Sequence, residues 1–276
     1  MQETNCNVCG GLSRSIFSAL ILKKYNADYF ECRNCGFIQT EKPYWLTESY
    51  QSAITDLDIG LLYRNIQFSE DLESFLSKDV IDPGGRFIDY GGGYGTFVRL
   101  MRDKGFDFYR QDIYCQNLFA KHFDISDIET VKKFELLTAF EVFEHLDDPK
   151  AELEKMLALS DNIFFSTLLL PSNKPNPDTW WYFAPETGQH ISFYTKKSLE
   201  IIAQKYNLNF YSNGSSLHMF LKGKLDIAPF NKPQSAGRLQ RLLSLLKPDQ
   251  PIKKRDSLLM KDYDFVRCLI NTNKKM

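Results

Sequence analysis

The sequence predicts an α/β protein in which a small metal-binding ribbon precedes a sheet flanked by helices. Two Cys-x-x-Cys pairs near the N-terminus indicate the ribbon, and a glycine-rich turn between a buried strand and a helix at residues 86–98 indicates the sheet. Further strand-like and helical segments follow that turn. The chain has 276 residues, and its 43% hydrophobic and 14% aromatic content excludes an intrinsically disordered protein.

The net charge of −1 hides an asymmetry along the chain. From Lys222 onward there are 13 Lys and Arg against 5 Asp and Glu, whereas residues 1–221 carry a net charge of −9. A protein that binds nucleic-acid phosphates is expected to carry basic charge on its body, so this pattern disfavours a nucleic-acid partner.

No apolar run approaches the ~18 residues that span a bilayer, and the polar N-terminus shows no secretory signal. We therefore expect a cytoplasmic protein without a transmembrane segment.

Residues 1–43 are predicted to form a zinc ribbon. Cys6 and Cys9 form one Cys-x-x-Cys pair and Cys32 and Cys35 form the other, with 22 residues between the pairs and a glycine directly after each. Four thiolates in two such turns suit tetrahedral zinc, and glycine lets the backbone close around the metal. Two disulfides or a redox-active pair are the alternatives, which the missing secretory signal disfavours. Because cysteines take all four positions, the zinc should be structural.

Residues 44–222 are predicted to form the main domain, with a helical lead-in at residues 44–80. Apolar residues recur at helical spacing from Leu61 to Leu76, which predicts a helix there. Arg64 lies within this segment, and we interpret it as part of a solvated helix face.

The glycine-rich turn is the strongest chemical signal in the sequence. A short buried strand leads into it and a helix begins at Thr96, so the turn offers backbone N–H groups and a helix N-terminus to a ligand. A P-loop needs a Lys-Ser/Thr pair after its last glycine, and the dinucleotide pattern needs a different glycine spacing. Here the glycines are Gly91, Gly93 and Gly95, and the acidic Asp89 precedes them.

This Asp-x-Gly-x-Gly-x-Gly pattern resembles the first motif of the class I S-adenosylmethionine-dependent methyltransferases. Asp112 lies 23 residues after Asp89, where the family's second strand ends, and residues 134–149 resemble its fourth-strand motif with a Glu-His-Leu turn. The resemblance implies a Rossmann-like, seven-stranded methyltransferase sheet with helices on both faces. It implies S-adenosylmethionine as the cofactor, with Asp89 balancing the ligand's ammonium and Asp112 binding the two ribose hydroxyls. The implied cofactor contacts are Asp89, Tyr90, Gly91, Gly92, Gly93, Asp112, Ile113 and Phe140.

Glu144 and His145 of the Glu-His-Leu turn are candidate catalytic residues with two interpretations. In some O-methyltransferases the corresponding acid and histidine contribute to a divalent metal site or to the rim of the active site. The alternative, which we favour, is the capped start of a helix, because glutamate is stabilising near helix N-termini.

A long insertion rich in proline and aromatic residues, at 171–194, is expected at the substrate site. Trp180 and Trp181 in it either fill the core or line a pocket suited to sugar rings. His190 is the candidate general base, since histidine accepts protons near neutral pH. Its segment resembles the Glu-His-x-x-x-Phe segment of zinc-bearing deoxysugar methyltransferases, with Gln189 where that family has glutamate. A structural role for His190 is the alternative.

The remaining titratable and thiol residues receive packing roles. His122 and His218 lie on strand-like stretches, and Cys115 and Cys268 are isolated, so burial is the expectation for all four. Residues 223–276 are predicted to form a basic helical tail with an amphipathic helix at 238–247. We favour docking of this tail on the acidic body over a dimer contact or binding to an acidic membrane.

These features predict a methyltransferase that acts on a hydroxyl of a sugar, as a nucleotide sugar or a polysaccharide unit, in carbohydrate biosynthesis. A ribosomal RNA methyltransferase is the first alternative, disfavoured because residues 1–43 carry only 5 basic against 4 acidic residues. A non-catalytic binding protein with the same fold is the second, disfavoured by the intact Asp89, glycines and Asp112.

Overall fold

The computed structural model describes residues 2–52, 54–78, 80–128, 133–173, 175–226, 229–230 and 255–273. The amphipathic helix expected at residues 238–247 lies outside these residues. The strands are β1 (Glu3–Asn5), β2 (Leu12–Ile21), β3 (Tyr25–Cys32), β4 (Ile38–Thr40), β5 (Arg86–Tyr90), β6 (Asp107–Gln111), β7 (Leu136–Ala139), β8 (Asn162–Ser166), β9 (Ser192–Phe193), β10 (Asn209–Ser212) and β11 (Leu217–Leu221). The helices are α1 (Leu46–Ser49), α2 (Leu61–Leu76), α3 (Thr96–Asp103), α4 (Pro149–Leu159), α5 (Lys196–Lys205) and α6 (Leu259–Asn273).

The N-terminal residues form an antiparallel sheet in the order β1-β2-β3-β4-β9. The first four strands come from the predicted ribbon, whereas β9 comes from the insertion 150 residues later and pairs Ser192 with Gln39 and Phe193 with Ile38. An aromatic core packs this sheet, including Tyr29, Trp45 and Phe193. The ribbon therefore shares a sheet with the segment that directly follows His190.

The second sheet has the order β10-β11-β8-β7-β5-β6. Strands β6, β5, β7 and β8 are parallel, and β11 and β10 complete the sheet antiparallel. Every residue of β7 is buried, as expected for a parallel strand covered on both faces. Phe87 and Phe108 stack across β5 and β6 with ring centroids 5.0 Å apart, and burying such a ring contributes about 1.5–3 kcal/mol.

The predicted count of seven strands is not met, since this sheet has six strands in the described part of the chain. Beside β6, where a further strand would lie, a single parallel bridge joins Arg110 to Asp124. Arg110 donates to Asp124 at 2.6 Å, and Asn117 donates to the same carboxylate at 3.0 Å. These side-chain bonds fold residues 112–124 into a compact loop, so one bridge forms in place of a strand.

Helix α6 is held against the body by a buried acid. Asp262 is 5% exposed and accepts hydrogen bonds from Arg102 at 2.8 Å and from Arg99 at 2.9 Å. The expected docking of a basic tail on an acidic body is thus reversed at this contact, where the tail supplies the acid. Neither α6 nor any other described helix is long and apolar enough to cross a membrane.

Two of the four packing expectations are wrong. His218 is fully buried on β11 and bonds the Thr167 carbonyl at 3.0 Å, as predicted. His122 instead lies exposed in a turn with φ of 71°, and Cys268 is exposed on α6. Cys115 is half-buried beside the glycine turn. Local apolar neighbours in the sequence therefore did not predict burial where the chain turns or the helix faces outward.

Candidate functional site

The glycine turn lies at the switch point of the parallel sheet. The chain leaves β5 for β6 on one side and returns to β7 on the other, and ligands of open α/β sheets bind outside the carboxyl ends of strands at such a point. Gly91, Gly93 and Gly95 have φ of 69°, 52° and 83°, a region that favours glycine. A Cβ on Gly91 would lie 2.8 Å from Cγ2 of Val142. The turn therefore requires glycine both for its backbone conformation and for space.

Asp112 follows β6 and closes one side of the turn. Its Oδ2 accepts from the Gly93 N–H at 2.9 Å, and its Oδ1 accepts from the N–H groups of Tyr114 and Cys115 at 2.7 Å each. A carboxylate offers about four acceptor positions. One position on Oδ2 is therefore left for a ribose hydroxyl, whereas both oxygens were expected to bind the two ribose hydroxyls.

Asp89 ends β5 with its carboxyl almost fully buried at 4% exposure. It accepts a hydrogen bond from Oγ1 of Thr138 at 2.6 Å. Burial raises the pKa of Asp89 to about 7, with the Thr138 hydrogen bond opposing the rise and the charge of Asp112 adding to it. A cation placed beside Asp89 would favour its charged form, which is the role expected for a ligand ammonium.

One cavity of about 1610 Å³ runs along this edge of the sheet. Its wall contains every residue predicted to contact the cofactor: Asp89, Tyr90, Gly91, Gly92, Gly93, Asp112, Ile113 and Phe140. The same wall contains His145 and His190 from the predicted catalytic set, and Trp181 from the insertion. The lead-in contributes Tyr50, which stacks on Tyr114 with ring centroids 5.1 Å apart.

A sequence-family model described as a methyltransferase domain matches residues 63–213, which is more than half of the chain and includes the glycine turn and His190. The chain belongs to this methyltransferase-domain family. The membership agrees with the methyltransferase class predicted from the motifs. No curated protein sequence matches the chain significantly.

Several solved methyltransferase structures are similar to this one at low sequence identity. CalO1, a methyltransferase in calicheamicin biosynthesis in its SAH-bound form, is 12% identical over 64% of this chain and 61% of its own, with a TM-score of 0.40. The plantazolicin methyltransferase BpumL is 14% identical over 74% and 88%, with a TM-score of 0.42. The magnesium protoporphyrin IX methyltransferase ChlM from Synechocystis PCC 6803 is 14% identical over 65% and 95%, with a TM-score of 0.43. The chain thus spans less than two thirds of the length of CalO1.

Two histidines from distant segments of the methyltransferase meet on the cavity wall. His145 lies in the short turn Phe143–His145 after β7, and its ring centroid is 4.9 Å from that of His190. Nδ1 of His145 bonds the Gln189 carbonyl at 3.0 Å, and Nδ1 of His190 bonds the Tyr182 carbonyl at 2.6 Å. Because a carbonyl oxygen only accepts, each Nδ1 carries the hydrogen, and each Nε2 of the neutral ring keeps a free lone pair.

Burial keeps both imidazoles uncharged near neutral pH. It lowers the pKa of His145 to about 4. It lowers the pKa of His190 to about 3, where the neighbouring His145 acts in the same direction. An imidazolium at either position is therefore costly unless a nearby anion compensates its charge.

Glu144 lies behind the two histidines and is completely buried. Neither of its carboxylate oxygens has a hydrogen-bond partner in the described part of the chain. One of these oxygens and one ring nitrogen of each histidine lie within 4.8 Å of one another. Burial raises the pKa of Glu144 to about 7. Its own backbone N–H and the hydroxyls of Tyr182 and Thr167 lie close enough to oppose this rise in part, although none has the geometry of a hydrogen bond to the carboxylate. We call Glu144, His145 and His190 the histidine cluster.

The favoured interpretation of Glu144 as a helix cap is wrong. The helix that follows is α4, and its cap is Asp148, whose Oδ1 accepts from the N–H groups of Lys150 and Ala151 at 3.1 Å each. Glu144 and His145 instead lie in the separate 3-10 turn Phe143–His145, which Ile191 holds by donating its N–H to the Glu144 carbonyl at 2.8 Å. Glu144 is therefore free of a capping role.

Two charged residues of the cavity were missed by sequence reasoning. Glu141 adopts a left-handed conformation with φ of 55°, and its carboxylate accepts from Ser166 at 2.6 Å and lies 3.4 Å from Nε of Arg64. Burial raises the pKa of Glu141 to about 7. Arg64 also pairs with Asp58, so its assignment to a solvated face is wrong. Arg64 lies four residues before Phe68 and so shares its helix face, which is the sequence signal that could have placed Arg64 at the cavity. No sequence signal predicts the left-handed conformation of Glu141.

The insertion divides its aromatic residues between core and cavity. Trp180 packs on Phe183 in the ribbon core with ring centroids 5.3 Å apart, whereas Trp181 is 74% exposed on the cavity wall. Gln189 uses its side-chain amide to bond the carbonyls of Ser49 and Ser52 at 2.9 and 3.1 Å. Its role is therefore to tie the lead-in to the insertion, with His190 next to it.

The four predicted metal ligands lie together in the ribbon. All four are free thiols whose Sγ atoms lie within 4.8 Å of one another, with Cys6–Cys35 at 3.7 Å and Cys9–Cys32 at 3.4 Å. Zn–S bonds of about 2.3 Å in a tetrahedron place sulfur atoms ~3.8 Å apart. The Gly11 N–H donates to the Cys9 sulfur at 3.4 Å. The donor set thus fits a structural zinc ion.

Proposed function

We propose that this methyltransferase binds S-adenosylmethionine at the glycine turn and methylates a hydroxyl of a sugar, presented as a nucleotide sugar or a polysaccharide unit. The observation that carries the proposal is the single cavity that joins the predicted cofactor residues to His145 and His190. When bound, the cofactor supplies an electrophilic methyl group on a positively charged sulfur. The chain's own residues then have to orient the acceptor and remove its proton.

Cofactor binding is assigned to the residues around the turn. The left-handed glycines allow close approach of the backbone, which a side chain would prevent. Asp89 lies where its carboxylate can balance an ammonium, and Oδ2 of Asp112 has one acceptor position for a ribose hydroxyl. Ile113 is 78% exposed on the cavity wall and offers an apolar contact to the cofactor. The four-cysteine zinc site is assigned a structural role.

The sugar acceptor is favoured by the character of the cavity wall. Trp181 presents an exposed aromatic ring, and aromatic faces suit the apolar faces of sugar rings. Arg64, Asp58 and Glu141 line the same cavity and can bond several hydroxyl groups at once. A small polyhydroxylated molecule uses both features. Within the described residues, the Lys and Arg side chains of the cavity wall are Arg64 and Lys155, and both are ion-paired, which disfavours a polyanion such as RNA.

His190 is proposed as the general base. Its Nδ1–H is held by the Tyr182 carbonyl, which fixes the tautomer and leaves Nε2 to accept the proton of the acceptor hydroxyl. The adjacent His145, held by the Gln189 carbonyl, constrains the ring from one side. The proton is taken as the acceptor oxygen forms its new bond to carbon.

The test combines calorimetry with a mass-shift assay. The protein is titrated with S-adenosylmethionine and then incubated with it and a panel of nucleotide sugars. We expect His190→Ala to keep cofactor affinity within a few-fold and to lower turnover ~10²-fold or more. The exposed His122→Ala is the matched control. Absent cofactor binding would remove the proposed function, and unchanged turnover in His190→Ala would remove the base assignment.

A further inference from the structure

The least explained group in the molecule is the carboxylate of Glu144. It is fully buried, it does not line the cavity, and no hydrogen bond to it forms within the described residues. A buried polar group without partners costs free energy, so its presence next to two catalytic candidates requires an explanation. We propose that Glu144 is the internal proton acceptor of the site, which receives through His190 the proton that leaves the acceptor hydroxyl. This inference rests on the proposed methyl transfer.

The position of Glu144 is fixed by bonds to its own turn. Tyr194 donates its hydroxyl to the Phe143 carbonyl at 3.0 Å, and Ser192 donates to the Leu146 carbonyl at 2.6 Å. Together with the Ile191 N–H on the Glu144 carbonyl, these bonds tie both sides of the turn to the segment that carries His190. The carboxylate and the two imidazoles are therefore held near each other by the backbone, with no direct bond between them.

The charges around Glu144 favour proton uptake. Facing groups are Glu141 and Arg64 on the cavity side, the phenols of Tyr50, Tyr182 and Tyr194, and the two histidines. Arg64 is engaged by Asp58 and Glu141, and Glu144 has no ion-pair partner in the parts of the chain that the structure describes. A carboxylate in such surroundings gains stability when it is protonated, and its pKa is accordingly raised to about 7.

His190 alone is a poor final acceptor. Burial and the neighbouring His145 hold its pKa at about 3, so a proton left on its ring would create an uncompensated buried cation. Transfer of that proton to Glu144 neutralises the carboxylate and leaves both imidazoles neutral. The histidine cluster then contains no charge at the end of the transfer.

The proton step balances without an added reactant. The acceptor O–H bond breaks, its electron pair stays on oxygen and forms the bond to the incoming methyl carbon, and the proton goes to Nε2 of His190. The bond between that carbon and the donor sulfur would break, with its electron pair left on sulfur. Because the two groups lie within 4.8 Å of each other without a direct bond, one water molecule then relays this Nε2 proton to a carboxylate oxygen of Glu144, while the Nδ1 hydrogen of His190 stays on the Tyr182 carbonyl. The positive charge of the methyl donor and the negative charge of Glu144 are both lost in one turnover.

The first experiment compares Glu144→Gln with wild type under saturating substrate. Wild-type kcat should rise with pH through about 7, because Glu144 must be ionised to accept the proton. In Glu144→Gln, kcat should fall ~10–100-fold and this rise should disappear, while KM and cofactor affinity stay within about threefold. Glu144→Asp should restore part of kcat and the pH-dependent rise. Glu73→Gln, an acid paired with Lys104 away from the cavity, is the matched control.

A second readout does not depend on turnover. Infrared difference spectra of wild type minus Glu144→Gln should show a carboxylic-acid C=O band that disappears as the pH is raised through about 7. A band that persists to pH 9 would overturn the proposal, since such a group could accept no proton. Wild-type kcat and pH profile in Glu144→Gln would overturn it as well.

Metal analysis tests the competing interpretation, in which Glu144, His145 and His190 bind a metal ion. One zinc per chain is expected from the four cysteines, and a second bound metal lost in Glu144→Gln would show a metal site at the histidine cluster and overturn the proposal. Failure of wild type to methylate any acceptor would instead remove the proposed function. The infrared spectra would still show whether the Glu144 carboxyl group takes up a proton near pH 7.

Discussion

Two buried carboxyl groups, Asp89 and Glu144, and the half-buried Glu141 line or underlie the cavity, and desolvation raises the pKa of each to about 7. Perturbed groups of this kind concentrate at functional sites, because binding and proton transfer need charges that folding alone would exclude. Each of them stabilises the native state only while it is protonated. These three groups therefore lower the free energy of unfolding as the pH rises.

Asp89→Asn should reveal this cost. The pKa of Asp89 is raised from 3.8 to about 7, so the native form binds the proton more tightly than the unfolded chain, and wild-type stability is lost as pH rises toward 7. The amide does not titrate, so the variant should gain about 3 kcal/mol relative to wild type between pH 5 and pH 8. Urea denaturation without ligand measures the difference.

The matched control for this change is Asp82→Asn, at an exposed position in the turn before β5. A stability difference between Asp89→Asn and wild type that is the same at both pH values would show that Asp89 is ionised throughout. In calorimetry, Asp89→Asn should also weaken S-adenosylmethionine binding, because the charge opposite the ligand ammonium is removed.

At the scale of elements, segments with a local pattern were predictable from sequence. Helical spacing from Leu61 to Leu76 predicted α2, which has these same bounds. The two residues of β9 carry no pattern of their own, and their pairing with β4 depends on contacts 150 residues apart. Likewise the glycine motif is contiguous and is recognisable in the sequence, whereas the meeting of His145 with His190 is a tertiary contact that spacing cannot indicate.

Helix α6 depends on one buried ion-pair group for its docking. Asp262→Ala removes the acid that accepts from Arg99 and Arg102, and it leaves the 4%-exposed Arg102 with fewer partners. Breaking a buried pair costs about 3–5 kcal/mol. Arg102 keeps its bonds to Asp107 and the Phe108 carbonyl, so we expect the lower end of this range.

Hydrogen exchange of the α6 amides measures the loss of docking directly, and thermal denaturation measures the global effect. Asp264→Ala removes the same charge from an exposed position of the same helix and should leave both unchanged. Equal exchange rates in Asp262→Ala and wild type would show that apolar contacts alone hold the helix.

For the whole molecule, the ribbon and the methyltransferase sheet meet around one segment. Trp45 donates its indole N–H to the Gly188 carbonyl at 2.9 Å, and Thr195 donates its hydroxyl to the Cys35 carbonyl at 2.6 Å. Between these anchors, the Thr40 N–H bonds the Ile191 carbonyl at 3.1 Å. The four-cysteine ribbon and the start of the lead-in therefore hold the His190 segment from both sides, whereas the glycine turn belongs to the other sheet.

Loss of the proposed zinc ion should separate acceptor chemistry from cofactor binding. Cys32→Ser removes one of four ligands, so bound zinc should fall from one ion per chain toward none, and residues 188–195 should exchange their amide hydrogens faster. Because a displacement of ~1 Å at a reacting group can cost up to ~10²-fold, we expect turnover to fall at least ~10-fold. Affinity for S-adenosylmethionine should change less than about threefold, since Asp89, Gly91 and Asp112 lie outside the ribbon sheet. Cys268→Ser, at an exposed cysteine, is the control. Equal losses of turnover and cofactor affinity would mean that the ribbon supports the whole fold and not the His190 segment in particular.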